Sequence, residues 1–162
     1  MIFVTSGSSL PFDRLIRTID QSVLDGIIRE DVFGQIGRGR YEPRNFSFAR
    51  FLDKEEYDLR IRAASLVIGH AGIGTIMQTL ESGTPLLVLP RRKEFGEVVN
   101  DHQVCTAKKF EELGHLVSFE PETLTAQLER VRILRPKARR ADPERVAERI
   151  GSFLHDLMDR QE

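Results

Sequence analysis

The sequence predicts an α/β fold with a doubly wound parallel sheet. Two observations support this prediction: short apolar runs show no alternation of polar and apolar residues, and stretches with helical spacing separate them. Strands of this kind are buried on both faces, so helices must cover both sides of the sheet. A chain of 162 residues is the size of one ordinary domain.

The chain opens with a strand, a loop of small residues and a helix. Residues 2–5 form a β-branched and aromatic run, which indicates a buried strand, and residues 6–9 read Ser-Gly-Ser-Ser. From Pro11 onward apolar residues recur at helical spacing, and proline suits a first helical turn. Residues 32–36 are the next apolar run and predict a second strand.

An irregular segment and a charged helix follow. Residues 40–52 are aromatic without a regular period, so we predict irregular structure there. Residues 53–64 predict a helix with Asp53 as its N-cap, because an aspartate side chain can accept from the free amides of a first turn.

The middle of the chain holds two clear strands with a helix between them. Residues 66–68 predict a buried strand, and a helix follows from about residue 74 to residue 82. Gly83 is typical of a helix C-cap. Residues 86–89 predict the next strand, which Pro90 ends.

The last part of the sequence predicts three further elements and a linker. Residues 101–113 predict a helix, 115–119 a strand and 121–131 another helix. Residues 132–141 are basic and contain proline, which is typical of a linker, and residues 143–158 predict an amphipathic helix.

Composition excludes several classes of protein and partner. The net charge of −1 provides no global attraction for nucleic acid, so we predict no nucleic-acid partner. Cys105 is the single cysteine, which excludes an intrachain disulfide and favours a reducing, cytoplasmic compartment. The first residues lack a signal-peptide pattern, and no window is long and apolar enough to span a membrane. Basic residues cluster in 130–149, either as a solvated face or linker or as a contact with an anionic partner or lipid.

Two loops have compositions that suit a phosphate. Ligands of such a sheet bind outside the carboxyl ends of the strands, where loops lead into helices. In the first loop, small residues expose backbone amides and hydroxyls near a helix N-terminus, although the same residues also occur for purely steric reasons. The candidates there are Ser6, Gly7, Ser8 and Ser9.

The second loop has the sequence HAGIGT, residues 70–75. It lacks the lysine of a P-loop and the GxGxxG spacing of a dinucleotide site. Gly72 and Gly74 would let backbone amides approach a pyrophosphate, and Thr75 adds a hydroxyl. His70 is placed to donate to a phosphate or sugar oxygen, and the alternative is a structural histidine bonded to a nearby carbonyl.

The third candidate region is NDHQ, residues 100–103, at the start of a helix. Asp101, His102 and Gln103 offer the donors and acceptors that sugar hydroxyls require, and the alternative is simple N-capping by Asn100 or Asp101. No convincing carboxylate cluster occurs, so we predict no metal site and no cofactor.

In this order, TSGSS, HAGIGT, ESGTPLLVLPR and NDHQ resemble the C-terminal domain of family 28 glycosyltransferases over residues 2–119. The similarity is greatest to the short-chain branch. That branch comprises donor-binding subunits of split N-acetylglucosaminyltransferases of dolichol-linked oligosaccharide synthesis and subunits of bacterial exopolysaccharide and capsule enzymes. The resemblance implies a Rossmann-like fold equivalent to the C-terminal half of a GT-B glycosyltransferase.

The resemblance also implies site roles. Residues 6–9 would face the diphosphate of a UDP-sugar, residues 70–75 would lie over the donor, and the residues of NDHQ would contact the sugar. The family's ribose-binding glutamate falls on Gln78, and Glu81, one turn later, is the candidate substitute. His70 is the single candidate for a catalytic base on this chain.

The function that the resemblance implies is that of a donor-binding subunit. It would serve a two-component inverting glycosyltransferase that transfers a sugar from a UDP-sugar to a lipid-linked saccharide acceptor. A membrane-anchored partner would hold the acceptor and recruit this cytoplasmic chain to the membrane. Residues 1–131 would then form the nucleotide-sugar-binding domain, and residues 132–162 would be a basic linker with a final helix that docks on the partner or packs within the chain.

Two other functions stay open at this point. One is a regulatory or enhancer subunit that has lost donor binding, as the amide at Gln78 permits. The more distant one is a stand-alone enzyme on a nucleotide-binding fold, such as a sugar-nucleotide epimerase or a reductase.

Overall fold

Strands and helices alternate along residues 1–136, which are the residues that the computed structural model describes. The predicted helix at 143–158 and the second half of the predicted linker at 132–141 lie outside this range. The strands are β1 (Ile2–Thr5), β2 (Val32–Gln35), β3 (Ser47–Ala49), β4 (Leu66–Gly69), β5 (Leu86–Val88) and β6 (Val117–Ser118). The helices are α1 (Asp13–Leu24), α2 (Lys54–Ala63), α3 (Ile73–Ser82), α4 (His102–Glu112) and α5 (Leu124–Ile133), with short 3₁₀ turns at Lys93–Phe95 and Pro121–Thr123.

The six strands form one parallel sheet in the order β3-β2-β1-β4-β5-β6. β1 pairs with β2 on one side and with β4 on the other, so that Ile2 lies opposite Val32 and Leu66. The chain therefore winds outward from β1 in both directions, which confirms the predicted doubly wound sheet. The carboxyl ends of β1 and β4 lie at the point where the winding changes direction, the usual place for a ligand.

Helices cover both faces of the sheet, and each face has its own apolar core. Ile2 and Val4 belong to the cluster that includes side chains of α1 and α5, whereas Phe3 belongs to the cluster that includes α2 and α3. Successive strand residues point to opposite faces, so both sides of β1 are buried. This double burial is the reason that the apolar runs show no alternation.

Two strands differ from their predictions. Residues 40–52 are not irregular throughout, because Ser47–Ala49 pairs in parallel with β2 at the edge of the sheet. The strand predicted at 115–119 is reduced to the two residues of β6. Both lie at sheet edges with one neighbour each, where short strands are common and leave little pattern.

The predicted helix ends are confirmed by their contacts. Asp53 accepts a hydrogen bond from the Glu56 amide at 2.8 Å and so caps α2. Gly83 ends α3 in the left-handed region with φ of 70°, a conformation that glycine adopts without a Cβ penalty.

A buried carboxylate holds the segment between β2 and β3 against α1. Asp20 accepts from the Tyr41 hydroxyl at 2.5 Å and from the amides of Arg44 and Asn45 at 3.0 and 2.8 Å. Burial alone would raise the pKa of Asp20, but these hydrogen bonds outweigh it and lower the pKa. An irregular segment is thereby held in one position.

Candidate functional site

A cleft of about 610 Å³ lies at the carboxyl ends of the strands, where the loops after β1, β3, β4 and β5 meet the start of α4. It is lined by nine of the residues that the sequence nominated: Gly7, Ser8, Ser9, His70, Gly74, Thr75, Gln78, His102 and Gln103. Four others lie outside the lining, namely Ser6, Gly72, Glu81 and Asp101.

The loop after β1 presents backbone amides to the cleft. Gly7 has φ of 75°, which turns the chain sharply after the strand. Within the described part of the chain, the amides of Ser8, Ser9 and Leu10 have no hydrogen-bond acceptor. The Ser6 hydroxyl points away from the cleft to the Gln35 carbonyl at 3.3 Å. The loop therefore suits an anion through its backbone more than through Ser6.

The His70 ring joins this loop to the loop after β4. A Cβ on Gly7 would lie 2.6 Å from His70 Cε1, and a Cβ on Gly72 would lie 2.2 Å from His70 Nε2. The ring thus occupies the space that side chains at these two glycines would need. Gly72 is required for this packing and does not itself reach the cleft.

The N-terminus of α3 supplies a second group of amides. The first bond of the helix runs from the Ile76 amide to the Gly72 carbonyl at 3.0 Å, so the amides of Ile73, Gly74 and Thr75 precede it. A Cβ on Gly74 would meet no atom within 4 Å, and its φ is not in the positive range. The fold does not need glycine here, and the space beside these helix N-terminal amides is open.

His70 is a neutral group at physiological pH. Burial lowers the pKa of His70 to about 4, the charge of Arg91 adds to the shift, and the nearby Thr5 backbone opposes it. Nδ1 is buried and has no well-formed hydrogen bond within residues 1–136. The ring is therefore a neutral donor or acceptor, and in the unliganded protein it is a weak base at pH 7.

Gln78 lines the cleft, and its amide is oriented by helix α2. Gln78 Nε2 donates to Asp58, whose other carboxylate oxygen bonds Lys54 Nζ at 2.6 Å. The hydrogen bond from Lys54 is the largest cause of the lowered pKa of Asp58, which keeps Asp58 ionised. An ionised carboxylate only accepts, so the amide nitrogen of Gln78 must face it and the carbonyl oxygen stays available. Glu81 is exposed and lines a separate groove beside α2.

The start of α4 brings Gln103 and His102 to the other end of the cleft. Gln103 is 5% exposed, and its Oε1 accepts from the Arg91 amide at 3.2 Å, which leaves its amide nitrogen as the free donor. Asp101 does not cap the helix; its Oδ1 accepts from the Lys93 amide at 2.8 Å. Asn100, one residue before the N-cap position, accepts from the His102 amide at 3.3 Å, so the predicted side-chain N-cap is found at neither residue.

Several lining residues were not nominated by the sequence. They include Phe51, Tyr57 and Arg91. Phe51 follows β3, the strand that the sequence pattern did not reveal. Arg91 comes directly after β5 and Pro90, so the rule that ligands bind at the carboxyl ends of strands would have found it.

The cleft has the position and the backbone donors that suit an anionic ligand. The family model described as the glycosyltransferase family 28 C-terminal domain matches residues 1–160. The chain belongs to this family. Within residues 1–136 of this family 28 domain, no group of three or more histidine, cysteine, aspartate or glutamate side chains is placed to hold a metal ion.

Two curated relatives illustrate the similarity. The chain is 38% identical over 126 residues to the UDP-N-acetylglucosamine transferase subunit ALG13 of Homo sapiens. This aligned region covers 71% of this chain and 10% of that protein. It is 32% identical over 68 residues to the UDP-N-acetylglucosamine--N-acetylmuramyl-(pentapeptide) pyrophosphoryl-undecaprenol N-acetylglucosamine transferase of Trichormus variabilis, covering 42% of this chain and 18% of that enzyme. This family 28 domain thus spans a tenth to a fifth of the length of these two relatives.

Solved structures confirm the fold of the family 28 domain. The glycotransferase of kitacinnamycin aligns with a TM-score of 0.62 and 22% identity, covering 98% of this chain and 39% of that one. The solution structure of ALG13 aligns with a TM-score of 0.55 and 21% identity, covering 85% of this chain and 87% of that one. Among residues 1–136, no helix is long and apolar enough to cross a membrane.

Proposed function

We propose that this chain is the donor-binding subunit of a two-component inverting glycosyltransferase that uses a UDP-sugar and a lipid-linked saccharide acceptor. The observation that carries the proposal is the pair of amide groups at the switch point of the sheet, after β1 and at the start of α3. Gly74 leaves open space beside these amides that the fold does not require. Family membership supports a nucleotide-sugar as the ligand class, and the amides support a diphosphate bound beside them.

The three parts of a UDP-sugar correspond to three parts of the cleft. Phe51, whose side chain is 51% exposed, offers an aromatic face to the base at the end of the cleft near α2. The Gln78 carbonyl would accept from a ribose hydroxyl. Gln103 and His102 would contact the sugar, and Asp101 supports this end by fixing the loop before α4.

The amides would act in the reaction as well as in binding. When an acceptor hydroxyl attacks the anomeric carbon, the bond to the diphosphate breaks and UDP leaves with increased negative charge. Amides of Ser8, Ser9, Gly74 and Thr75 that point at the diphosphate stabilise this charge most strongly in the transition state.

His70 remains our candidate for the catalytic base on this chain, alongside a base on the partner. Its pKa of about 4 keeps the imidazole neutral. The neutral ring would first donate a hydrogen bond to an oxygen of the UDP-sugar and only then take part in proton transfer.

A partner subunit is the second part of the proposal. Leu10, Phe51 and Ile73 lie at or beside the cleft and expose between 43% and 58% of their side chains, as at a surface that a partner covers. The human relative ALG13 is a transferase subunit. We propose that the partner is membrane-anchored, presents the acceptor and recruits this chain from the cytoplasm to the membrane.

The alternative is a regulatory subunit without donor binding. The observation that favours it is the hydrogen bond from Gln78 to Asp58, which occupies one end of the amide at the expected ribose position.

Calorimetric titration separates the two functions. UDP, UDP-N-acetylglucosamine and UDP-glucose would be titrated into the full chain with and without its partner, with GDP as the control for the base. Binding of UDP compounds and sugar transfer in the complex would support the enzyme. Absence of UDP binding in the presence of the partner would establish the regulatory function instead.

A further inference from the structure

Arg91 is a buried cation that makes no ion pair with a carboxylate within residues 1–136. Its side chain is 3% exposed, and its Nη2 donates to the backbone carbonyls of Ser6 and Leu10 at 2.7 Å each. The guanidinium carbon lies 4.9 Å from the ring centroid of Phe12. These contacts hold the two ends of the loop after β1, but none of them neutralises the charge.

Glu97, the carboxylate whose charge acts on Arg91, is committed to another arginine. Glu97 accepts from Arg14 Nε and Nη2 at 2.8 Å each and from the Arg92 amide at 3.0 Å. Burial lowers the pKa of Arg91 to about 10 and Glu97 only partly opposes this shift. An uncompensated buried charge is costly, so a fold that retains one at a cleft has a reason outside its own stability.

The Arg91 guanidinium retains unpaired donors beside the ligand space. Arg91 lines the cleft together with Gly7 and Gly74. Nε is buried without a partner among the described residues, and Nη1 also has no acceptor there. Backbone amides, hydroxyls and the His70 ring around this space are neutral, and Lys54, the cation that α2 contributes to the lining, is exposed and paired with Asp58. The bound anion would therefore meet a single fixed positive charge at the wall formed by the two loops.

We infer that Arg91 is the counter-charge of the bound diphosphate, acting from behind the loop after β1 that its own Nη2 holds in place. The ligand class is a diphosphate, either free or as part of a nucleotide, and the inference rests on the proposed function for its identity as UDP. Neutral amides give the anion its geometry, whereas Arg91 gives the site its charge.

The experiment titrates the full chain with inorganic pyrophosphate, UDP and uridine. Arg91→Gln should weaken pyrophosphate and UDP about 10- to 100-fold, the range for loss of a charged hydrogen bond, and leave uridine within about threefold. The matched control is Arg92→Gln, which removes the same charge from the next residue, where Glu94 and Glu120 already pair it. It should leave the affinity for all three ligands unchanged.

Arg91→Lys separates charge from loop support. A buried lysine has a pKa below its ordinary value, so this variant should bind pyrophosphate at low pH and lose it as the pH rises through that lowered pKa, well before the wild type does. Loop support alone would give a variant whose binding shows no such pH step. Thermal unfolding checks that each variant is folded, and if Arg91→Gln is not, Arg91→Lys carries the test by itself.

The outcomes distinguish this inference from the proposed function. Pyrophosphate binding that is unchanged in Arg91→Gln, or uridine weakened as much as UDP, would overturn the role of Arg91 while UDP-sugar transfer could stand. The wild type could instead bind UDP no more tightly than pyrophosphate, with both affinities lost in Arg91→Gln. That result would support the role of Arg91 and overturn the UDP-sugar function.

Discussion

Replacing Gly74 by alanine should stabilise the fold and weaken the ligand. Gly74 is the second residue of α3, its φ is not positive, and an added Cβ would meet no protein atom within 4 Å. Glycine costs a helix about 0.5–1 kcal/mol relative to alanine. For a chain of 162 residues, that gain corresponds to a rise of about 1–4 °C in Tm.

The same methyl group would lie beside the amides of α3, where the diphosphate is expected. A group that keeps the anion from hydrogen-bonding distance should cost at least about tenfold in UDP affinity, or about 1.4 kcal/mol. Thermal unfolding and calorimetric titration with UDP measure the two effects on one sample. Stability and binding should therefore change in opposite directions.

Gly83→Ala is the control, because an added Cβ also meets nothing there but φ is 70°. It should lose about 1 kcal/mol of stability from left-handed strain and keep its affinity for UDP, since Gly83 lies outside the cleft lining. If Gly74→Ala binds UDP as the wild type does, the space beside α3 is not a ligand site. If it lowers Tm, the conformational part of the reasoning is wrong.

Three other substitutions test the remaining parts of the site and its support. The pKa of His70 is about 4 in the folded chain and 6.5 ordinarily, so the unfolded chain takes up the proton first as pH falls. Up to about 3 kcal/mol of the free energy of unfolding is therefore lost between pH 6.5 and pH 4. His70→Asn should flatten this slope in pH-dependent unfolding, and an unchanged slope would contradict the burial of the ring. The pKa of Asp20 is lowered, so the stability that its carboxylate contributes is present above the ordinary pKa of 3.8 and is lost as pH falls further. Asp20→Ala should lower the free energy of unfolding by about 2–4 kcal/mol in denaturant at pH 7. A loss below about 0.5 kcal/mol would show that residues 40–46 do not depend on Asp20. Gln103→Ala should reduce sugar transfer in the complex more than it reduces UDP affinity, and equal losses would argue against a sugar contact.

The fold was predictable because each buried strand leaves a continuous apolar run bounded by turn residues. The sequence signals were strongest for β1, β4 and β5, the strands buried on both faces. β3 escaped prediction because its three residues are partly exposed and pair with one neighbour. An edge strand of that length depends on β2 for its conformation and leaves no period of its own.

The backbone part of the site was predictable from composition, since glycines and serines after a strand expose amides wherever the fold is parallel. Side-chain roles were harder, because they depend on contacts between distant residues. The Gln78 amide is oriented by Asp58, twenty positions earlier, and Arg91 reaches Ser6 across 85 positions. No local pattern contains such pairs, although the position of Arg91 after β5 follows the topological rule.

The two donor-facing loops behave as one unit because their parts fill one another's space. Arg91 holds the ends of the loop after β1, and the His70 ring occupies the space that side chains at Gly7 of that loop and at Gly72 before α3 would need. Packed groups of this kind do not deform continuously, so a side chain at either glycine must displace the ring and with it the opposite loop. Gly72→Ala, which adds a group outside the cleft lining, should therefore disturb diphosphate binding through the loop after β1, whereas Gly74→Ala acts only where the ligand itself lies.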